Sequence, residues 1–380
     1  MAKTVVALPL PTQHLGTTRS ITIHRYGDPI ARPKAYIQAG LHADEIPGML
    51  SAHHLIAQLD EADRRGAIRG QIIVVPVANP IGLDQYFAGR LFGRSSLEQG
   101  QNFNRGFADL VETVIPRLED RLGSDPVGNV ALIRASLLDA LAGLCPANDL
   151  QELRRTALGM AIDADFVFDL HCDLESLMHM YTSEELWPDA MDLAAQLGCR
   201  AVMLASDSGG DPFDEACSMP WWKLRAHFGD RFPIPNACLS ATIELRGKSD
   251  VEDGLAASDA DNLFRFLQRR SLIAGHPGPV PPLRCAATPL SGVDRLIAPV
   301  PGVLAFRRQI GDLVQTGDVI ADIVDPTAED PRTARTSLVT RTSGILWSRN
   351  QTKMAVAGET VAAIAGAKPL DDRKWSLLVD

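Results

Sequence analysis

The sequence places an imidazole and a carboxylate three residues apart, at His42 and Glu45, directly after an apolar segment over 34–40 that is typical of a strand. Open α/β sheets bind their ligands at the carboxyl ends of strands, so this is a favourable position for a metal site. An HxxE pair also arises by chance in chains of this length. By itself, therefore, the pair does not establish a metal site.

A second polar group follows the apolar run over 72–77 and contains Arg90, Arg94, Asn102, Asn104 and Arg105 among several glycines. A solvated glycine-rich loop would account for these residues. Alternatively, guanidinium and amide groups that converge after a strand end would bind a carboxylate and an oxyanion, because guanidinium offers a fixed fork of donors.

Two further residues are polar in apolar surroundings. His171 ends the strand-like segment 166–170, and Glu244 lies inside the strand-like segment 241–245. A hydrogen-bonded core histidine is one interpretation of His171. A carboxylate is costly to bury unless it is paired or functional, which makes Glu244 the most informative single residue.

The elements around these residues predict an α/β fold, in which a mixed, mostly parallel sheet is covered by helices. Short apolar strands alternate with helical patterns over the first two thirds of the chain. Residues 107–161 show helical periodicity without a strand and form either a wall of the site or a packing layer. The predicted strands lie at 34–40, 72–77, 166–170, 201–205 and 241–245.

A proline-rich stretch over 276–289 predicts a linker, and we place the domain boundary there, giving domains over 1–285 and 286–380. In the second domain, 298–323 is echoed by 341–364: Gly302 corresponds to Gly344 and Gly317 to Gly358. This spacing predicts two copies of one short β unit.

The composition excludes several classes of function. The net charge is −10 and there is no basic run, so nucleic acids and anionic membranes are not expected partners. No apolar run approaches the roughly 20 residues of a membrane span. The amino-terminal segment is too broken for a secretory signal, and we therefore expect a cytoplasmic protein.

In this order, the four groups resemble the succinylglutamate desuccinylase and aspartoacylase family of zinc carboxypeptidase-like hydrolases, across roughly residues 20–270. The resemblance implies that His42, Glu45 and His171 are the ligands of one zinc ion per chain. It makes Glu244 the general base and acid, and it assigns Asn104 and Arg105 to a substrate carboxylate. An upstream arginine would polarise the scissile carbonyl. The spacing leaves Arg94 and Arg90 open for this role, and we favour Arg94.

The carboxyl-terminal residues resemble the barrel-sandwich fold of biotinyl and lipoyl carrier domains. Those carriers hold their cofactor on a lysine in the hairpin between the halves, whereas residues 321–349 contain no lysine. A role in shaping the active site is therefore expected in place of a swinging arm.

The resemblance implies a zinc-dependent deacylase whose substrate is a small N-acylated amino acid or a related carboxylate. The alternatives are a metallocarboxypeptidase and a non-catalytic binding protein on the same scaffold. His179 and Asp173 are candidates for orienting His171. The sequence does not identify the acyl group, the amine or the metal. A homo-oligomer is expected only from the size of the chain.

Overall fold

The computed structural model describes residues 3–12, 15–373 and 377–378. It contains twenty strands in chain order: β1 Thr4–Leu10, β2 Arg19–Tyr26, β3 Lys34–Ala39, β4 Gln71–Val75, β5 Tyr86–Phe87, β6 Arg90–Leu91, β7 Phe166–Asp173, β8 Glu175–Ser176, β9 His179–Thr182, β10 Ala201–Leu204, β11 Leu239–Gly247, β12 Ala287–Pro289, β13 Val293–Ile297, β14 Gly302–Phe306, β15 Leu313–Val314, β16 Val319–Val324, β17 Arg335–Val339, β18 Gly344–Arg349, β19 Met354–Ala355 and β20 Thr360–Gly366. The described helices are α1 Pro47–Arg64, α2 Pro80–Leu83, α3 Val111–Leu118, α4 Pro126–Ala142, α5 Asp149–Ala161, α6 Trp187–Leu197, α7 Phe213–Phe228 and α8 Asp253–Arg269.

Nine strands form one mixed sheet in the order β1-β2-β4-β3-β7-β11-β9-β10-β12. Its centre, β4-β3-β7-β11, is parallel, and β9 joins β11 antiparallel. This confirms the predicted mixed α/β architecture. Strand β12 lies within the predicted linker and pairs with β10, so that part of the proline-rich stretch belongs to the sheet.

Helices cover both faces of this sheet, because side chains alternate along buried strands. On β3, Tyr36 packs into a cluster with α3, α4, α5 and α7, whereas Ala35 and Ile37 pack into a second cluster with α1, α6 and α8. The buried apolar side chains of the helices in the 107–161 segment all belong to the first cluster. They form a packing layer, the second of the two predicted alternatives.

The carboxyl-terminal strands form two antiparallel sheets, β13-β20-β18-β15 and β17-β16-β14-β19, with a shared hydrophobic core. The sequence repeat corresponds to three strands in each copy, β14, β15 and β16 in the first and β18, β19 and β20 in the second. The short middle strands are exchanged, because β15 pairs with β18 of the other copy and β19 pairs with β14. Gly317 and Gly358 adopt matching positive φ angles of 93° and 92° before the last strand of each copy.

Several contacts join these sheets to the region around the end of β7. Strand β8 pairs with β18, and Ser348 Oγ donates a hydrogen bond to Asp173 Oδ2 at 2.6 Å. The antiparallel region is therefore held beside the carboxyl end of β7. No helix among residues 3–12, 15–373 and 377–378 is long and apolar enough to cross a membrane.

Candidate metal centre and active-site cavity

The segment that carries His42 and Glu45 leaves the end of β3 and turns into α1. The Glu45 N–H donates to the His42 carbonyl at 3.1 Å, which closes the turn and brings both side chains to one side. Gly93 packs against this turn and accepts a hydrogen bond from the Ala43 N–H at 2.9 Å. A Cβ at Gly93 would meet the Asp44 nitrogen at 2.1 Å, so only glycine permits this close approach.

His171, at the end of β7, completes a cluster with these two residues. Its Nδ1 lies 2.8 Å from Glu45 Oε2, and His42 Nδ1 lies 3.0 Å from Glu45 Oε1. The three side chains are buried, and one ligand atom from each lies within 4.8 Å of the others. Two imidazoles and one carboxylate are the donor set of a catalytic zinc site with one coordination position left open. The residues present therefore fit a metal ion.

Two residues outside the cluster fix the orientation of the histidine rings. Asn102 Oδ1 lies 2.8 Å from His42 Nε2, and Asp169 Oδ2 lies 2.8 Å from His171 Nε2. Each ring is therefore held through its Nε2 and turns its Nδ1 towards Glu45. Asp169 in turn accepts a hydrogen bond from Gln38 Nε2 at 3.0 Å. Polar contacts of this kind orient metal-binding histidines and tune their basicity.

His179 and Asp173, the candidates for this orienting role, make their hydrogen bonds elsewhere. His179 Nδ1 lies 2.8 Å from the Leu177 carbonyl, and Asp173 accepts from Ser348. The signal for Asp169 was present, because residues two apart on a strand point to the same face and Asp169 precedes His171 by two. Asn102 had no such signal.

The pKa values of the three cluster residues are shifted from their ordinary values. Burial would raise the pKa of Glu45, but the two imidazoles outweigh it and hold that pKa well below its ordinary value. Burial lowers the pKa of His42. Burial would lower the pKa of His171 too, yet Asp169 and Glu45 raise it well above its ordinary value. Charges of opposite sign thus offset burial at this end of the site.

Glu244 lies beside this cluster, because β11 pairs with β7 in a register that sets Glu244 opposite His171. Its Oε2 is buried without a hydrogen-bond partner among the described residues. Burial, and then the negative charge of Glu45, raise the pKa of Glu244 well above its ordinary value. A carboxyl group in this state is suited to exchange a proton with a bound molecule.

The two candidate arginines lie in different surroundings. Arg94 is half-buried and lines the cavity, with its Nη1 3.4 Å from His42 Nδ1 and 3.6 Å from Glu45 Oε1. Arg90 is exposed in the short β5–β6 hairpin and does not line the cavity. Of these two arginines, therefore, only Arg94 lies near the cluster.

Asn104 and Arg105 also line the cavity. Asn104 Oδ1 accepts a hydrogen bond from the Phe213 N–H at 2.8 Å, which fixes the side chain at the start of α7. Its Nδ2 lies 3.5 Å from His171 Nε2. The Arg105 Nη1 donates to the Asn104 carbonyl at 2.7 Å. The Asn-Arg pair predicted from the sequence is thus adjacent to the cluster.

One cavity of about 770 Å³ is lined by the three cluster residues and by Glu244, Arg94, Asn104 and Arg105. Its walls come from the strand ends of the large sheet, from α7 and from the carboxyl-terminal sheet. The sequence did not predict which carboxyl-terminal residues line the cavity. They include Arg295, Ile297, Trp347, Arg349, Thr360 and Ala363. This volume is in the range of small-molecule sites.

The chain matches one protein-family model, the succinylglutamate desuccinylase/aspartoacylase catalytic domain, over residues 31–123. The family resemblance inferred from the motifs is thereby confirmed. The matched segment contains His42, Glu45, Arg94, Asn104 and Arg105, whereas His171 and Glu244 lie beyond it. No match was found among curated proteins.

Several solved structures share the fold along nearly the whole chain. A succinylglutamate desuccinylase/aspartoacylase protein from Shewanella frigidimarina has a TM-score of 0.81 at 22% identity, covering 97% of this chain and 98% of its own. A family member from Shewanella amazonensis has the same TM-score at 23% identity, with coverages of 96% and 98%. The product-bound ectoine utilization protein EutE (DoeB) from Ruegeria pomeroyi has a TM-score of 0.67 at 16% identity, with coverages of 96% and 95%. At these identities the comparison establishes the fold.

Proposed function

We propose that this protein is a zinc-dependent hydrolase that cleaves the amide bond of an N-acylated amino acid or a related small carboxylate. The observation that carries the proposal is the arrangement of His42, Glu45 and His171, with ligand atoms within 4.8 Å of one another, beside Glu244 in one cavity. A family of deacylases that matches the first part of this site supports the same reaction class.

His42, Glu45 and His171 would hold one zinc ion per chain. Asn102 would fix the ring of His42, and Asp169 the ring of His171. When bound, zinc supplies Lewis acidity that lowers the pKa of water towards about 7 and polarises a carbonyl group. The unpaired Oε2 of Glu244 supports this assignment, because a general base needs a free oxygen that faces the reacting molecule.

In this mechanism the chain's own residues move the proton and hold the substrate. Glu244 accepts the proton of the attacking water as the new C–O bond forms. It then returns that proton to the amide nitrogen as the C–N bond breaks. This role is typically worth about 10²- to 10⁴-fold in rate.

Arg94 donates to the carbonyl oxygen as negative charge develops there, and Arg105 with Asn104 holds the substrate carboxylate. The position of Arg94 in the cavity favours it over Arg90 for this role.

The test is release of free amine by zinc-loaded protein from N-acetyl, N-succinyl and N-formyl amino acids, beside blocked dipeptides, with the Glu244→Gln variant as control. We expect turnover of acyl amino acids but not of dipeptides, and a loss of about 10²-fold or more in the variant. Preferential cleavage of dipeptides would establish the metallocarboxypeptidase alternative. One bound zinc per chain without any turnover would favour the non-catalytic binding protein.

The second part of the proposal concerns residues 286–380. We propose that they form a separate barrel-sandwich domain, next to a hydrolase domain over 1–285, and that this domain narrows the mouth of the cavity. The exchanged short strands and the matching glycines of the two repeats support the fold assignment. The lining of the cavity by Ile297, Trp347 and Thr360 supports the role.

A pair of rim variants tests this role. Ile297 is 56% exposed and lines the cavity, whereas Val300 is 39% exposed and lies outside the lining. Ile297→Trp should lower kcat/KM more for bulky acyl groups than for acetyl, and Val300→Trp should change neither. Equal effects of both variants on all acyl groups would contradict the role.

A further inference from the structure

Strand β9 places a tyrosine on the same face of the large sheet as Glu244. Strands β9 and β11 pair antiparallel, with His179 opposite Glu244 and Tyr181 opposite Thr242. Residues that are directly opposite each other, or that alternate along one strand, share a face of the sheet. Tyr181 is therefore the diagonal neighbour of Glu244, a separation that aromatic and long side chains can span. Both residues line the cavity.

The hydroxyl group of Tyr181 is not used inside the protein. The other two tyrosines of the large sheet, Tyr26 and Tyr36, are fully buried. The Tyr26 hydroxyl donates to Asp60 Oδ1 at 2.7 Å. The Tyr36 hydroxyl donates to Gln38 Oε1 at 2.8 Å. Tyr181 is only partly exposed, yet it makes no hydrogen bond to any described residue. Because a tyrosine hydroxyl in such surroundings usually has a partner, a bound molecule is its expected complement.

Two aromatic rings hold the ring of Tyr181 in place. His179 lies edge-on to it with ring centroids 5.5 Å apart, and Trp347 of β18 lies at 6.4 Å. His179 is itself fixed, because its Nδ1 lies 2.8 Å from the Leu177 carbonyl and Trp347 packs against its ring at 4.3 Å. The Tyr181 hydroxyl is therefore preorganised. A fixed donor loses no free energy to reorientation when charge develops on a bound molecule.

Strand β13 of the carboxyl-terminal region contributes a cation to the cavity wall. Arg295 and Ile297 line the cavity, whereas Leu296 packs into the shared core of the two carboxyl-terminal sheets. This is the alternation expected along a strand. Arg295 is only partly exposed and has no carboxylate partner among the described residues. Burial lowers the pKa of its guanidinium group.

Other cations of the same wall are paired. Three of them each have a carboxylate within 3.6 Å, namely Arg94 with Glu45, Lys248 with Asp44 and Arg349 with Glu175. A desolvated cation without an anion is costly. Negative charge on a bound molecule is therefore the expected complement of Arg295.

The charges around Tyr181 agree with a role as a hydrogen-bond donor. Burial raises the pKa of Tyr181 well above its ordinary value, and the negative charge of Glu244 adds to this effect. The positive charges of Arg295 and Arg94 act on it in the opposite direction. The phenol therefore keeps its proton at neutral pH and can donate it in a hydrogen bond.

The three groups around the reacting amide divide its needs. The amide nitrogen requires a proton as the C–N bond breaks, and Glu244 returns one. The carbonyl oxygen gains negative charge as the water adds, which donors such as Arg94 and a phenol stabilise. A phenol that keeps its proton cannot replace Glu244 as the base. The carbonyl oxygen is therefore the atom that Tyr181 suits.

We propose that Tyr181 is a second hydrogen-bond donor to the scissile carbonyl oxygen, beside Arg94, and that Arg295 positions the Tyr181 hydroxyl for this role. The inference rests on the proposed deacylase function and adds to it one catalytic residue and one positioning residue. The phenol keeps its proton throughout, so no bond to hydrogen is broken at Tyr181. The carboxyl-terminal region thereby takes part in the reaction through Arg295.

The first test removes only the hydroxyl group. Tyr181→Phe keeps the ring and its contacts with His179 and Trp347. For an acyl amino acid that the wild type cleaves, we expect kcat to fall at least about 10-fold at unchanged KM, because the lost hydrogen bond strengthens in the transition state. The matched control is Tyr86→Phe, an exposed tyrosine outside the cavity, which should stay within about twofold. An unchanged kcat in Tyr181→Phe would overturn the proposal.

A double-mutant cycle tests whether Arg295 acts through Tyr181. Arg295→Met should lower kcat at least about fivefold when Tyr181 is present and less than about twofold in the Tyr181→Phe background. Arg295→Lys should restore part of the loss. Independent, multiplicative losses would overturn the positioning role. A loss confined to KM for succinyl derivatives would also overturn it, because Arg295 would then bind a carboxylate of the substrate.

Calorimetry separates this inference from the function on which it rests. The ligands for the zinc-loaded protein are a phosphonate analogue of the acyl amino acid, with tetrahedral phosphorus in place of the carbonyl carbon, and the free amino acid. Tyr181→Phe should weaken binding of the analogue at least about 10-fold and leave that of the amino acid within about twofold.

This result would support Tyr181 even if no acyl compound is cleaved, in which case the deacylase proposal fails alone. Cleavage by the wild type, with equal binding of the analogue to wild type and variant, overturns the role of Tyr181 and leaves the deacylase standing. Absence of both cleavage and a difference in analogue binding overturns both.

Discussion

The two ends of the cavity each contain a buried glutamate, and their electrostatic states are opposite. Glu45 is 3% exposed and lies between two imidazoles, which hold its pKa well below the ordinary value. Glu215 is 8% exposed and lies beside Asp214, and its pKa is raised to about 8. Burial acts in the same direction on both. The neighbours therefore decide the charge, and a glutamate's depth alone predicts little about its role.

The same comparison separates the side chains that each end offers. Imidazole nitrogens and a carboxylate at one end form a donor set that fits a transition metal. The other end offers carboxylates and hydroxyls and no imidazole. The two ends of one cavity thus differ in chemistry, and the unpaired Glu244 oxygen lies at the end with the histidines.

The largest expected effect distinguishes the two glutamates directly. Glu45→Gln removes the charged ligand, and we expect metal content to fall from one ion per chain to near zero, with loss of activity. Glu215→Gln, the matched change at the other end, should retain one ion per chain. Metal analysis after dialysis measures both. Equal metal content in the two variants would remove the distinction between the ends.

The next effect tests which arginine belongs to the metal end. Arg94→Met should lower kcat by about 10²- to 10³-fold, the usual loss for a donor to a developing oxyanion. Arg90→Met is the matched control in the same segment and should stay within twofold of the wild type, because Arg90 is exposed outside the cavity. Steady-state kinetics of both variants decides the assignment, which a reversed order would contradict.

A smaller effect on metal affinity is expected at Asp169, which contacts His171 and would not itself bind the metal. Asp169→Asn removes the negative charge opposite His171 Nε2 while it keeps the shape of the side chain, and should weaken metal affinity by about 10- to 100-fold. Competition with a chelator gives the affinity. The exposed Asp120→Asn variant serves as the control. If both variants bind the metal as tightly as the wild type, Asp169 does not tune the ligand.

The smallest effect concerns stability and pH at the inner end. The folded-state pKa of Glu215 is raised from 4.5 to about 8, so the folded protein retains a proton that the unfolded chain releases between these values. The stability of the wild type should therefore decrease as the pH rises through this window. Glu215→Gln lacks this loss. Its Tm advantage over the wild type should grow from pH 5 to pH 8.

Thermal unfolding at pH 5, 6.5 and 8 measures this difference, and each kcal/mol corresponds to roughly 2–4 °C in domains of moderate size. Glu112→Gln should follow the wild type at every pH. A Tm difference that does not change with pH would mean that Glu215 is already paired in the folded protein.

Local patterns predicted much of the fold around the site. The strand predicted over 34–40 is β3, the one over 201–205 is β10, and β11 contains the predicted 241–245 segment. Strand β7 extends beyond the predicted 166–170 and includes His171, because the hydrogen-bonded ladder with β11 continues to that residue. Strand periodicity reports which side chains share a face, but it does not report how far pairing continues.

The sequence by itself determined the residue types of the candidate metal cluster, of Glu244 and of the Asn-Arg pair. Each of these residues follows or lies in a strand, and the apolar pattern of a strand is visible in the local sequence. Tertiary structure alone decided which of them meet. Glu45 and His171 are 126 residues apart and lie 2.8 Å from each other only because β3 and β7 are neighbours in the sheet. Arg90 and Arg94 are four residues apart, yet a hairpin directs them differently.

The same reason explains the surroundings of Asp214 and Glu215 in the cavity wall. Asp214 and Glu215 lie in the first turn of a helix, where acidic residues are ordinary. Their raised pKa values depend on what β11 and the Ser208 loop bring opposite them. These neighbours are a property of the whole fold, since the periodicity of a helix does not report what packs against it.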